Sequence, residues 1–187
     1  MLVAGDSIPH HWQRIKSRPG IPTIFNNANY NYTKRGAYAK ETSKKIANDI
    51  VHGKMPIADV GVLLVGTNDL LNSETCSASE CDEILENIAD SVCEIRNNVG
   101  KIFVCEILPL RKDHRYKAKH EKGRERINNM LNDMVETIDN AGIIPSPPEH
   151  FFTKPNDIDF VAYADDTHPH DLFNEQYLPY IYDLIRK

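Results

Sequence analysis

The chain has 187 residues, 41% hydrophobic and 26% charged, a composition that suits one globular domain with a single sizeable core and excludes a disordered chain. Its 22 Lys+Arg against 27 Asp+Glu leave a net charge of −5, which argues against a protein that works mainly as a nucleic-acid clamp. No apolar run approaches the roughly 20 residues of a membrane span, and no charged-then-apolar leader opens the chain, so a cytoplasmic protein is expected.

Residues 2–4 form a short apolar run that breaks at Gly5. Residues 21–25, after the turn signal Pro19-Gly20, read as a second strand. A weaker helical stretch covers Ala39–Val51, and residues 60–65 (VGVLLV) give a third strand. Cys81, Ile84, Leu85, Ile88, Val92 and Ile95 recur at three- and four-residue steps and so share one helix face. Ser79, three residues before Asp82, suits a capping arrangement at that helix's start, with Asn98 and Gly100 at its end. Residues 101–108 (KIFVCEIL) are a fourth strand. Ile127, Met130, Leu131, Met134 and Ile138 make a second helical stripe, ended by Gly142, and residues 143–144 are a fifth strand. The last stretch, residues 171–186, is helical in pattern but contains Pro179, which predicts a kink or a helix start there. Short β-rich runs alternating with amphipathic helices predict one domain over residues 1–187, a doubly wound α/β sheet with helices on both faces.

The four cysteines, Cys76, Cys81, Cys93 and Cys105, match no paired zinc spacing and are too sparse for a disulfide scaffold. They read as free thiols in a reducing compartment, with Cys105 buried in a strand and Cys81 and Cys93 on a helix.

Ligands of open α/β sheets bind beyond the carboxyl ends of the strands, so the residues after each strand deserve the first look. Gly5-Asp6-Ser7 follows strand one, Gly36 follows strand two, and Gly66-Thr67-Asn68-Asp69 follows strand three; Asp165-Asp166-Thr167-His168-Pro169 lies near the C-terminus. A serine hydroxyl is a weak nucleophile until a base takes its proton. Ser7 is the candidate nucleophile and His168, titrating near neutrality, the base. Asp165 can accept the other ring N–H and fix the tautomer. The oxyanion formed in acyl transfer needs donors aimed at it. The Ser7 N–H, the Gly36 N–H and the Asn68 amide are the candidates, with Gly36 allowing a close backbone approach to substrate.

These blocks resemble the signature of the SGNH hydrolase superfamily, the GDSL-type esterases and lipases. The signature is a Ser in a Gly-Asp-Ser block, a Gly, an Asn in a Gly-x-Asn-Asp block and a His in an Asp-x-x-His block. Ser7, Gly36, Asn68 and His168 match in that order, and Ile8 replaces the family's common Leu by an aliphatic swap. The resemblance covers essentially the whole chain. It implies a flavodoxin-like three-layer α/β/α sandwich with a five-stranded parallel sheet, and hydrolysis of a carboxylic ester through an acyl-enzyme without metal or other cofactor. The compact length and a start almost at strand one are also similar to the SGNH-type esterase domain of LINE-type retrotransposon first-open-reading-frame proteins, which would make this a domain cut from something longer.

A short acyl group such as acetyl is expected, because the chain has no inserted lid domain. Ile8, Leu70 and Pro109, with Leu71, Leu108 and Leu110 beside them, are expected to line a small-molecule or lipid ester, and His170 to sit at the cleft rim. His10 and His11 read as solvated helix residues or as contacts to a polar group of the substrate. A metal at His168-Pro169-His170-Asp171 would need a third or fourth ligand that no local spacing supplies. Residues 111–126, from Arg111 to Arg126, hold eight Lys/Arg and three Asp/Glu, a local +5 that leaves −10 on the rest. That segment reads as a solvated loop entering a charged helix. Its alternative role is to bind RNA or an anionic membrane, in a module of weak catalytic power.

Overall fold

The computed structural model describes residues 1–109, 118–148, 151 and 170–187. The chain runs β1 (Leu2–Gly5), α1 (Ser7–Ile15), α2 (Thr23–Asn26), β2 (Asn29–Thr33), α3 (Ala39–Val51), β3 (Ala58–Leu64), α4 (Thr67–Asn72), α5 (Ala78–Arg96), β4 (Val99–Cys105), α6 (Ala118–Glu136), β5 (Ala141–Ile144) and α7 (Asp171–Ile185). The strands form one sheet in the order β2-β1-β3-β4-β5, every pairing parallel. This is the flavodoxin-like strand order, and it makes a three-layer α/β/α sandwich.

Successive side chains of a strand point to opposite faces, and the two faces here are both apolar. Leu2, Ala4, Leu63, Ile102 and Val104 pack with α3, α5 and α6 on one side. Val3, Val62, Leu64, Phe103 and Cys105 pack with α1 and α7 on the other. The central strands therefore carry unbroken apolar runs, as strands buried on both faces must. All four cysteines are free thiols; Cys81 and Cys105 are buried, Cys93 is exposed.

The second strand is not where the apolar run at residues 21–25 placed it. That run leads into α2 and supplies its first three residues, with Ile21 and Phe25 buried beside α1. β2 is instead the edge strand NYNYT, which buries Tyr30 and Tyr32 and leaves Asn31 exposed. Its alternating asparagines hide it from a search for apolar runs. Pro179 does not begin α7; the helix continues across it, with Tyr177, Leu178 and Ile181 all buried around the interruption. Gly142 lies in β5 rather than ending α6, and the turn between them is taken by Asn140 at φ +60°.

The start of α5 also shifts. Ser77, not Ser79, is the N-cap: Ser77 and Glu80 form a reciprocal capping box. Hydrogen bonds from the Thr75 hydroxyl and from Ser77 hold the Glu80 carboxyl down to about 2. Loss of an N-cap serine costs about 1 kcal/mol. Ser77→Ala is therefore expected to lower unfolding free energy by about that amount in urea titrations, and Ser79→Ala to leave it within about 0.5 kcal/mol of the parent.

Candidate active site

The turn after β1 is built by a glycine. Gly5 has φ +139°, and a Cβ there would lie 1.8 Å from the Leu64 carbonyl oxygen and 2.9 Å from Pro9 Cγ. The Gly5 carbonyl accepts the Lys34 N–H at 3.1 Å, and the Asp6 N–H donates to the Leu64 carbonyl at 3.1 Å. Both neighbouring strands thus hold the point where the chain leaves the sheet. Asp6 then caps α1, its Oδ1 accepting the Ile8 N–H at 2.9 Å. Ser7 is the first residue of that helix and is 6% exposed.

Asp6 is fully buried. Among the described residues, neither its Oδ2 nor the buried Thr67 Oγ1 has a partner in hydrogen-bonding geometry. Burial pushes the Asp6 carboxyl up to about 7; the Ile8 N–H and nearby Thr67 pull it back in part, and Asp69 adds to the rise. A carboxyl that is partly neutral near pH 7 has a donor as well as acceptors to offer inside the protein.

The turns after β2 and β3 are fastened to each other. Gly36 has φ +70°, and a Cβ there would meet nothing within 4 Å, so it is the left-handed turn that favours glycine. Asn68, in the first turn of α4, donates from Nδ2 to the Ala37 carbonyl at 3.0 Å. The Asp69 carboxylate accepts the Ala39 N–H, at 3.3 and 3.0 Å to its two oxygens. Burial raises the Asp69 carboxyl above its ordinary range, while the Ala39 amide opposes the rise. An asparagine amide carries two N–H donors, so the Ala37 bond leaves one to serve elsewhere. Because β1 lies between β2 and β3, the Gly36 and Asn68 turns flank the Ser7 turn. All three stand at the carboxyl ends of adjacent strands, across the β1/β3 switch point where this topology binds ligands.

No protein-family model and no curated protein matches the chain. Solved structures do. A GDSL-like lipase from Bacteroides thetaiotaomicron VPI-5482 is similar at 16% identity and a TM-score of 0.69, over 99% of this chain and 86% of that one. A putative acylhydrolase from Bacteroides fragilis NCTC 9343 is similar at 19% identity and a TM-score of 0.72, over 99% and 85%. An acetyl xylan esterase is similar at 16% identity and a TM-score of 0.68, over 98% of each chain. The chain has the SGNH-hydrolase fold.

Within the SGNH fold, the structure brings Ser7, Gly36 and Asn68 to one edge. Asp165 and His168 lie outside the described residues, as do Leu110 and residues 111–117. Ile8 and Leu70, expected against substrate, are core side chains: Ile8 is 1% exposed among α1 and α7, and Leu70 is fully buried among α3, α5 and α6. Leu108 is buried in the same layer as Ile8. Pro109 is half-buried just beyond β4, and His170 is exposed at the N-cap of α7. His10 and His11 are half-buried, with His10 Nδ1 3.3 Å from Thr33 Oγ1.

The described part of the basic segment is the first half of α6, and its charges are largely engaged within the protein. Lys119 donates to the Ser73 and Glu74 carbonyls, Arg124 to Glu121 and the Ile107 carbonyl, and Arg126 to Asp82. Among the described residues, no three His, Cys, Asp or Glu side chains converge as metal ligands would, and no helix is long and apolar enough to cross a membrane. Sequence reasoning passed over Asp69 as a tether, although it stands in the same block as Asn68; its partner Ala39 is thirty residues away, where no local spacing points.

The raised Asp6 carboxyl has a consequence for stability. The folded protein holds that proton more tightly than the unfolded chain, whose Asp titrates near 3.8. Asp6 therefore favours folding fully below about pH 4, and this contribution is lost as pH rises through about 7. Asp6→Asn keeps the capping oxygen and cannot ionise. Its Tm relative to the parent is expected to be higher at pH 8 than at pH 5, and a pH-independent difference in thermal melts would contradict the assignment.

Proposed function

We propose that the protein is a metal-independent serine esterase that cleaves a short-chain carboxylic ester, acetyl foremost, through an acyl-enzyme. The observation that carries this reading is the placement of the Ser7 turn between the Gly36 and Asn68 turns. In this reading, that edge of the sheet offers the Ser7 hydroxyl, with N–H donors from the two flanking turns beside it. Ser7 Oγ attacks the ester carbonyl while His168 takes its proton, and Asp165 orients the imidazole. The carbonyl oxygen becomes an oxyanion held by the Ser7 N–H, the Gly36 N–H and the Asn68 amide. Collapse expels the alcohol, which takes the proton from His168. Water, deprotonated by the same imidazole, then attacks the acyl-enzyme and releases the acid and Ser7. The two bonds that tie the Gly36 turn to α4 support the reading, since preorganised donors stabilise an oxyanion without reorganising. The lipase, acylhydrolase and acetyl xylan esterase among the similar structures support an ester substrate.

The experiment is a p-nitrophenyl ester series of increasing acyl length. Acetyl is expected to turn over fastest. Ser7→Ala and His168→Ala are expected to lose on the order of 10⁴-fold or more in kcat, and Asn68→Ala about 10²–10³-fold, with folded circular dichroism spectra throughout. Turnover that survives Ser7→Ala would overturn the assignment.

A further inference from the structure

We propose that Asp6 and Thr67 are positioning residues, whose buried carboxyl–hydroxyl bond sets the spacing between the Ser7 turn and the Asn68 turn. The proposal rests on the esterase reading above. Asp6 directly precedes Ser7, and Thr67 directly precedes Asn68. β1 and β3 stay in parallel register as far as Gly5 and Leu64, so both residues leave adjacent strands at the same edge. Asp6 is fully buried and Thr67 is 3% exposed. The Thr67 hydroxyl and its backbone N–H both lie against the Asp6 carboxyl. Asp6 Oδ1 is already taken by the Ile8 N–H at 2.9 Å. Among the described residues, Asp6 Oδ2 and Thr67 Oγ1 are left as two buried polar atoms with no other partner. An unsatisfied buried polar atom is costly, and rotation of the Thr67 hydroxyl lets each of these two satisfy the other. A hydroxyl donates as well as accepts. It gives its proton to the Asp6 carboxylate and accepts one from the protonated acid, so the link holds in both states.

The other neighbouring turns have ties of this kind. The Lys34 N–H on the Gly5 carbonyl joins the turns after β2 and β1. Asn68 on the Ala37 carbonyl and Asp69 on the Ala39 N–H join the turns after β3 and β2. Between the turns after β1 and β3, the backbone bond from Asp6 to Leu64 lies at the end of the sheet. The Asp6–Thr67 pair is the link one residue from Ser7 and one from Asn68. Gly66, the N-cap of α4, has φ +110° and no side chain with which to fix the turn itself. Asp69 of α4 and the Cys105 thiol of β4 also face the Asp6 carboxyl. Asp69 brings like charge, and burial pushes the Cys105 thiol up to about 12 and keeps it neutral. The Ser7 N–H and the Asn68 amide are two of the three oxyanion donors in the esterase reading. Such donors act through a spacing set beforehand, and a displacement of about 1 Å can cost about 10²-fold in rate.

The test compares Thr67→Val, which removes the hydroxyl and keeps the branched shape, with Thr67→Ser, which keeps the hydroxyl. Each is made in the parent and in Asn68→Ala. Turnover of p-nitrophenyl acetate is counted per serine titrated by a fluorophosphonate, so misfolded protein does not enter. Thr67→Val is expected to lose roughly 10- to 100-fold in kcat with KM within about threefold, and Thr67→Ser to recover most of that loss. In the Asn68→Ala background, Thr67→Val is expected to cost no more than about threefold, since residues acting as a unit are not additive. The bond itself is read without turnover, by NMR of the Asp6 carboxyl carbon. Asp6 titrates at about 7 in the parent; it is expected to titrate higher in Thr67→Val, whose carboxylate has lost a donor, and to return toward the parent in Thr67→Ser. If Thr67→Val does not fold, Thr67→Ala takes its place with the same expectations. An unmoved Asp6 titration, an undiminished kcat per titrated serine even with a lowered Tm, or a loss as large in Asn68→Ala as in the parent would each overturn the proposal. Turnover that survives Ser7→Ala would instead overturn the esterase reading and the catalytic part of the proposal with it, while the NMR titration would still report the bond.

Discussion

At Gly5 the backbone of the central strand passes so close to the Leu64 carbonyl that no side chain fits between them. That contact determines how the chain leaves the sheet. With φ +139° the backbone turns sharply, which lets the Asp6 N–H reach Leu64 and the Asp6 side chain swing back onto Ile8. The helix that follows begins at Ser7 and carries Pro9 in its first turn, where a missing N–H costs nothing. Enlarging Gly5 would force β1 and β3 apart, and the Ser7 and Asn68 turns ride on those two strands.

The molecule divides its work between two kinds of interaction. Apolar side chains on both faces of the sheet hold the elements together, without strong directionality. At the carboxyl edge, short polar contacts to backbone groups set the angles: Asp6 to Ile8, Asn68 to Ala37 and Asp69 to Ala39. The cost of the second kind is visible in the two carboxyls. Asp6 and Asp69 are both raised by burial and answered mainly by backbone N–H groups rather than by cations. A lysine or arginine placed there would relieve the carboxylates, but it would also put a mobile positive charge beside the serine turn.

Much of this is legible in the residues alone. The runs at β1, β3 and β4 are apolar on both faces, so they stand out as buried strands. Helix α3 falls over Ala39–Val51 as its pattern requires. β2 escaped because an edge strand buries alternate residues and can fill the others with asparagine. The cap of α5 was misplaced by two residues because Ser77, Ser79, Glu80 and Asp82 offer two overlapping capping patterns, and only the backbone geometry chooses between them. At the site, the order of the Ser7, Gly36 and Asn68 blocks was legible, since each follows a strand. Ile8 and Leu70 were not legible as core, because an aliphatic residue beside a candidate catalytic one has the same signature whether it faces substrate or the sheet.

Similarity in fold at 16–19% identity follows from this division. Cores accept many apolar exchanges when pattern and volume are kept, so the layers need few particular residues. What cannot be exchanged freely is a backbone position or a directional bond. Gly5 is constrained by contact, Gly36 and Gly66 by left-handed φ, and Asn68 and Asp69 by the backbone group each must reach, the Ala37 carbonyl and the Ala39 N–H. These positions are few and scattered along the chain, yet the strand order gathers them at one edge. Overall sequence identity is therefore a poor measure of what this chain needs in order to present Ser7, while the short blocks after each strand are a good one.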